Sequence, residues 1–211
     1  KWLDEIGLKD TNGDGFREFP DGKELFLVIT PGPKKRRVDC AEIMTKNLKD
    51  IGINNGTRLL DRSLWVEWAW SGKHQICVYG NSTAMTPIAS PTQYFPIERS
   101  TYWADLYGKY YQTDGEEGMK PPDEGPIPRL VEIYEEASVE PDDDKRNVLI
   151  REAMQIHADE LFMIGVLGYA PKPAVTHNRF KNIPDVFNNQ GWRHEDYYPE
   201  QYYIDASVPI K

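Results

Sequence analysis

Leu25-Phe26-Leu27-Val28-Ile29, bounded by Gly22 on one side and by Pro31-Gly32-Pro33 on the other, is the stretch that decides the fold. Five consecutive apolar residues closed off by turn formers predict a strand covered on both faces, as in an α/β sheet. From about Lys35 to Ile51, Val38, Ala41, Met44, Leu48 and Ile51 recur at threes and fours, which predicts an amphipathic helix closed by Gly52. Ile53 to Leu60 offers a second strand, and Asp61 or Ser63 can cap a short helix with Trp65, Trp68 and Ala69 on one face and Gly72 at its end. Gln75 to Tyr79 is another short apolar strand. Strand, helix, strand, helix, strand is the rhythm of an α/β layer with right-handed crossovers.

Upstream of this layer, Trp2, Leu3 and Ile6 sit at helical spacing, so the sequence opens as a helix entered midway and is expected to be cut from a longer chain. Downstream, Gly80 to Pro96 is irregular, and Arg99 to Tyr111 returns to helical spacing through Trp103, Leu106, Tyr107 and Tyr110. Thr113 to Pro128 reads as a long polar loop. Leu130, Tyr134 and Ala137 mark one further helix; the next opens on Asp142-Asp143-Asp144 and carries Val148, Leu149, Ala153 and Ile156. Phe162 to Leu167 is expected to be a third buried apolar run, and the segment beyond Pro171 is rich in aromatic residues.

The 211 residues carry 25 Lys and Arg against 34 Asp and Glu, a net charge of −9, which argues against a nucleic-acid surface. No apolar run approaches the length of a membrane span. Two cysteines are too few for a disulfide framework and lack metal-ligand spacing. Cys40 and Cys77 are expected to be buried thiols, with a single bridge between them left open. His74, His157, His177 and His194 are scattered, without the spacing of a catalytic zinc site. Lys34-Lys35-Arg36-Arg37 reads as a solvated helix face or a local docking patch.

The loop from Asp10 has the spacing of a calcium loop: Asp10, Asn12 and Asp14 at positions one, three and five, the Phe16 carbonyl at seven, Glu18 at nine and Asp21 at twelve. Asp21 is shorter than the usual glutamate, and Pro20 with the strand after it denies the second helix of an EF-hand. The same residue types also build turns closed by their own side chains. No cofactor is required by the sequence; a structural calcium at this loop is the one left open. Aromatic residues number 25 (Phe 7, Trp 6, Tyr 12), more telling than any motif, since rings with a polar handle serve sites with one apolar face and one wet end.

Several segments together resemble one family, the extracytoplasmic solute-binding proteins of ABC importers, family 5, which bind peptides, nickel complexes or oligosaccharides. Leu3 to Gly15 followed by Pro20-Asp21-Gly22-Lys23 looks like the family's helix and Asp/Gly-rich loop. Glu42 to Ile53 is similar to its next helix, with Leu48 and Gly52-Ile53 in the terminal turn, and Ile150 to Glu160 with Phe162 to Gly165 looks like its late helix and strand. The resemblance implies an α/β fold, one lobe of a type II periplasmic-binding-protein-like architecture with a mixed sheet flanked by helices. It implies that residues 1–211 form a single C-terminal lobe, with an α/β core to about residue 170 and an aromatic-rich tail (about 171–211) packed on the lobe or toward the other one.

The function so implied is capture, not catalysis: a solute held between two lobes for delivery to a membrane permease, outside the cytoplasm, in the periplasm or lipid-anchored at the outer face of the membrane. Peptide-binding members carry an acid for the peptide amine just after the strand matching Gln75–Tyr79; here Gly80 to Pro87 contains none. Tyr111, Thr113, Gly115, Gly118, Pro121 and Pro122 look like a loop of a subgroup that includes oligosaccharide binders. An oligosaccharide is therefore the expected ligand and a peptide the alternative, with Tyr79, Asn81, Tyr94 and Trp103 as cleft residues that stack on sugar rings or bond their hydroxyls. Two readings of other classes stand beside it: a secreted glycan hydrolase, motivated by carboxylates and aromatics, and a calcium-dependent interaction module, motivated by the Asp10 loop.

Overall fold

The apolar run at Leu25 becomes β1 (Phe26–Pro31) in a computed structural model that describes residues 1–80, 87–88, 90–166, 175–185 and 199–208. It is followed by α2 (Lys35–Asp50), β2 (Asn54–Thr57), α3 (Arg62–Ala69) and β3 (Ile76–Val78), and preceded by one short helical turn, α1 (Trp2–Glu5). The strands form one sheet in the order β2-β1-β3, parallel throughout, with Ile29 beside both Thr57 and Ile76 and Pro31 beside Val78. The expected α/β layer is present, with all its elements in the expected order.

Its coverage is uneven. Ile29, Thr30 and Pro31 are buried, whereas Phe26 is 45% exposed and lies across Gly56, a position on β2 with no side chain to cover it. Both faces are therefore closed only at the C-terminal end of β1. Local chemistry sets the helix ends. Asp61 caps α3 by accepting from the N–H groups of Ser63 and Leu64, and α2 stops at Ile51 because Gly52 turns the chain at φ +81°. Arg17 ties the Asp10 loop to that helix end, donating to the carbonyls of Leu8 (2.7 Å) and Ile51 (2.9 Å) and to Asp4 (2.6 Å).

The second half packs around α4 (Asp105–Gln112), α5 (Pro126–Val139) and α6 (Asp143–Glu160). Phe95, Leu130, Ile133 and Ala153 form its buried centre, with Trp103, Tyr134, Leu149, Ile156 and Phe162 packed around them. Asp142 caps α6 through the N–H groups of Asp144 and Lys145. Arg129 of α5 clamps Glu152 of α6 with two bonds of 2.7 and 2.9 Å, and also reaches Glu132 and Glu136. Two expected boundaries shift. α4 starts at Asp105, not Arg99, because Thr101 is buried with its hydroxyl donating to the Phe95 carbonyl (3.0 Å), which holds 98–104 as turns. α5 starts at Pro126, a residue suited to a first helical turn, so the loop before it is shorter than its polarity suggested. That loop folds back on α4: the N–H of Met119 donates to the Leu106 carbonyl at 3.0 Å.

The third apolar run is a correction. Residues 162–166 form no strand, and Met163, Ile164 and Val166 are exposed, Ile164 by 81%. Leu161, at φ +52°, ends α6 in the left-handed region, and Phe162 just after it stacks on Trp103. Leu167 and the expected boundary near residue 170 lie outside the described residues. Beyond them, β4 (Phe180–Lys181) and β5 (Tyr203–Ile204) pair antiparallel.

Candidate functional site

In the order β2-β1-β3, the connection through α2 leads to one side of β1 and the connection through α3 crosses to the other. A parallel sheet wound this way has its switch point at the C-terminal ends of β1 and β3, the place at which α/β folds commonly bind ligands. The residues at this edge come from four places: Gly32 after β1, Arg37 in the first turn of α2, Tyr79 and Gly80 after β3, and Tyr102 in the turns before α4. Trp65 of α3, 1% exposed, floors the cluster.

Tyr79 stacks on Trp65 with ring centroids 4.6 Å apart and 14° between planes, and Tyr102 leans on it at 4.8 Å. The Arg37 guanidinium covers the Tyr79 ring at 3.8 Å. An indole and a guanidinium at these distances occupy opposite faces. Tyr79 thus offers a ligand its edge and hydroxyl and has no face left to stack on a sugar. Burial, reinforced by the Tyr79 phenol, pushes the Tyr102 hydroxyl up to about 12, so it stays a neutral donor. Burial likewise pushes the Cys77 thiol up to about 11, against the pull of Arg37. Both Cys77 and Cys40 are free, so the bridge left open by the sequence is not formed.

Arg37 corrects the reading of the basic run as a solvated face: it is 8% exposed, while Lys34, Lys35 and Arg36 are exposed. The signal was in the sequence, because Arg37 stands four residues before Ala41 on the stripe that α2 buries.

The other expected cleft residues lie elsewhere. Tyr94 and Trp103 meet at His157 of α6, whose Nε2–H donates to the Tyr94 carbonyl at 2.8 Å. Trp103 stacks on Phe162 (4.6 Å) and its indole N–H donates to the Gln93 carbonyl at 3.1 Å. This corner belongs to the core of the α5–α6 half. Asn81 lies outside the described residues. Burial holds the His157 imidazole below its ordinary range. The unfolded chain therefore takes up a proton near pH 6.5 that the folded chain resists, and stability is full above that range and lost as pH falls through it. Between about pH 8 and about pH 5 the urea midpoint should drop, and His157→Gln should flatten that drop.

Among the described residues, one group brings carboxylates together: oxygens of Asp10, Asp14 and Glu18 lie within 4.8 Å of one another. They are the residues that could hold a cation, but the loop also uses them itself. Asp10 accepts from the N–H groups of Gly13 and Gly15, Asp14 from that of Phe16, and Glu18 from Thr11 and Asn12. Asp21 stands apart, paired with Lys23 at 2.6 Å, so position twelve does not join the group. An open surface depression beside the loop, lined by Asp4, Lys9, Asp10, Gly15, Arg17, Ile51 and Gly52, is mostly polar and includes none of the aromatic cluster, and the edge at β1 and β3 is the better binding candidate.

No protein-family model matches the chain. It is 25% identical over 189 residues to the periplasmic alpha-galactoside-binding protein of Rhizobium meliloti (strain 1021), covering 86% of this chain and 26% of that protein. It is 42% identical over 66 residues to the oligopeptide-binding protein AppA of Bacillus subtilis (strain 168), 31% of this chain and 12% of that one. Among solved structures it resembles the oligopeptide-binding protein OppA (32% identity, TM-score 0.72, covering 86% of this chain and 30% of that one). The fold is also shared with the periplasmic binding protein MelB of Agrobacterium fabrum C58, solved with stachyose (19% identity, TM-score 0.59, covering 76% of this chain and 24% of that one). These neighbours are solute-binding proteins of the family the sequence resembles, and the chain spans about a quarter to a third of the length of the alpha-galactoside-binding protein and OppA.

Proposed function

We propose that this chain is one lobe of an extracytoplasmic solute-binding protein that captures an oligosaccharide and delivers it to the permease of an ABC importer. The observation that carries the reading is the placement of Tyr79, Tyr102 and Arg37 at the C-terminal edge of β1 and β3, in a chain similar over 189 residues to an alpha-galactoside-binding protein. The exposed edge and hydroxyl of Tyr79 above a buried indole suit a ligand that is itself apolar on its faces and polar at its edges. Closure of a second lobe over this edge would complete the site, which is why half a cleft is expected to bind poorly. The lobe grips its solute and leaves it unchanged. An oligopeptide is the second reading, favoured by the likeness to OppA and AppA.

A thermal-shift screen of the complete protein against neutral oligosaccharides and oligopeptides tests this. A ligand at about 100 times its Kd should add roughly 2.7 kcal/mol to stability. Stabilisation by oligosaccharides is the expected result; release of shorter sugars during the incubation would replace capture by hydrolysis.

The Asp10 loop is proposed to hold its shape through its own N–H donors, with calcium as an optional occupant. Its expected signature is an unfolding temperature that EDTA leaves unchanged. A fall on chelation that calcium reverses would assign the loop to the ion instead.

A further inference from the structure

We propose that His74 is a positioning residue for the aromatic cluster: its charge, balanced against Asp105, holds the segment that carries Tyr102, so that ligand affinity at the edge of β1 and β3 rises as pH falls from about 8 to about 5.5. This rests on the capture reading and adds a regulation of the same site.

His74 lies between α3 and β3, half-buried, and its Nε2–H donates to the Tyr102 carbonyl at 2.9 Å. The same segment presses on α4: Gly72 is so close to Leu106 that a Cβ there would lie 2.7 Å from that side chain. Asp105, the first residue of α4, is 6% exposed and within electrostatic reach of His74. One imidazole therefore acts on both ends of the segment 102–105, on Tyr102 by a hydrogen bond and on Asp105 by charge.

Both partners are incomplete. Since Nε2 carries the proton that bonds Tyr102, Nδ1 of a neutral imidazole is a bare acceptor. Nδ1 of His74 and Oδ2 of Asp105 are buried, and neither has a hydrogen-bond partner. Two buried acceptors without a donor, one of them on an anion, cost free energy. A second proton on the imidazole relieves this. Nδ1 becomes a donor, the carboxylate gains an opposite charge, and the bond to the Tyr102 carbonyl becomes charge-assisted, roughly twice as strong. Burial pushes the Asp105 carboxyl above its ordinary range, and His74 draws it back.

The other charged and titratable groups around the pair are Cys77 on β3, Tyr79 and Tyr102, Arg37 beyond Cys77, Arg99 over the Trp70 ring at 4.6 Å, and Lys73 beside His74. Burial pushes Cys77 up to about 11 and Tyr102 up to about 12, so neither titrates in this range, and a guanidinium keeps its charge throughout. Tyr102 carries the effect to the site. Its ring leans on Tyr79 at 4.8 Å and on Trp65 at 5.5 Å. A firmer hold on Tyr102 keeps the Tyr79 edge in place before a ligand arrives and lowers the ordering cost of binding.

The test uses the complete protein in a His157→Gln background, which removes the other buried imidazole. Histidine and tyrosine labelled with carbon-13 are followed by NMR from about pH 5.5 to about pH 8, and stachyose and a neutral oligopeptide are titrated by calorimetry at both ends of that range. The Tyr102 ring signals should shift with the same midpoint as His74, and the probe that binds should be held roughly fivefold more tightly at the acidic end. His74→Gln, whose amide can still donate to the Tyr102 carbonyl but does not titrate, should make Tyr102 and the affinity insensitive to pH. Asp105→Asn, which keeps the imidazole and removes its counter-charge, should move the shared midpoint to lower pH. A Tyr102 signal that ignores the His74 transition, a pH response that survives His74→Gln, or a midpoint unmoved by Asp105→Asn would overturn the positioning role. Equal binding at both ends of the range would overturn the regulation and leave capture intact. Binding of neither probe while Tyr102 follows His74 would support the coupling and remove the capture reading.

Discussion

Gly108→Ala is expected to destabilise the protein by about 2 kcal/mol or more, although alanine is the better helix former by about 1 kcal/mol. The residue lies within α4, where propensity alone predicts a gain. The contact that decides the sign is backbone: a Cβ at this position would lie 2.6 Å from the carbonyl carbon of Glu98 and 2.9 Å from its nitrogen, with the carbonyl oxygen nearer still. Neither side can yield cheaply, because the turns at 98–104 are fixed by Thr101, whose hydroxyl is bonded to Phe95 in the buried core. Urea unfolding of the variant should show a lower midpoint with an unchanged slope. A midpoint at or above wild type would mean that α4 does not pack on Glu98 as described.

Trp65→Ala should have the larger effect, about 3–5 kcal/mol, a large share of the stability of an ordinary domain. Trp65 is 1% exposed, stacks on Tyr79, and touches Tyr102 at 5.5 Å. Removing it opens a void under the site and takes away the surface that holds Tyr79 against Arg37. Trp65→Phe should keep most of the stability and move the ligand response, because a smaller ring leaves Tyr79 freer to turn. Circular dichroism melts of the two variants check the first claim, and the ligand screen on Trp65→Phe checks the second. A Trp65→Ala variant as stable as wild type would remove the aromatic cluster from the core.

The layer from Phe26 to Val78 was legible because each of its signals is local. The five-residue apolar run, the stripe from Val38 to Ile51, the Asp61 cap and the Gly52 stop each depend on neighbours within one turn or strand. The site was less legible because it depends on which elements meet. Tyr79, at the end of the expected strand from Gln75, was legible as a candidate ring, but its partners Trp65, Tyr102 and Arg37 arrive from three other elements. Tyr94, from the irregular segment before Pro96, and Trp103, from the stretch read as a helical stripe, are both drawn into the other core by His157 and Phe162. Arg37 was misread for a different reason: as one of four successive cations it looked like a solvated face, and only its phase relative to Ala41 separates it from its exposed neighbours. The run after Leu161 shows the limit of composition, since apolar residues make a strand only where another strand is at hand to pair with them.

The thiol on β3 bears on how the strand beside the proposed site resists oxidation. Cys77 sits one residue from that site with its thiol held near 11, so at neutral pH almost none of it is in the form that attacks disulfides or peroxides. In oxidising surroundings unpaired cysteines are ordinarily a hazard for scrambling; here burial, helped by the Asp105 charge, keeps this half-buried thiol protonated, and iodoacetamide should label it much faster after denaturation.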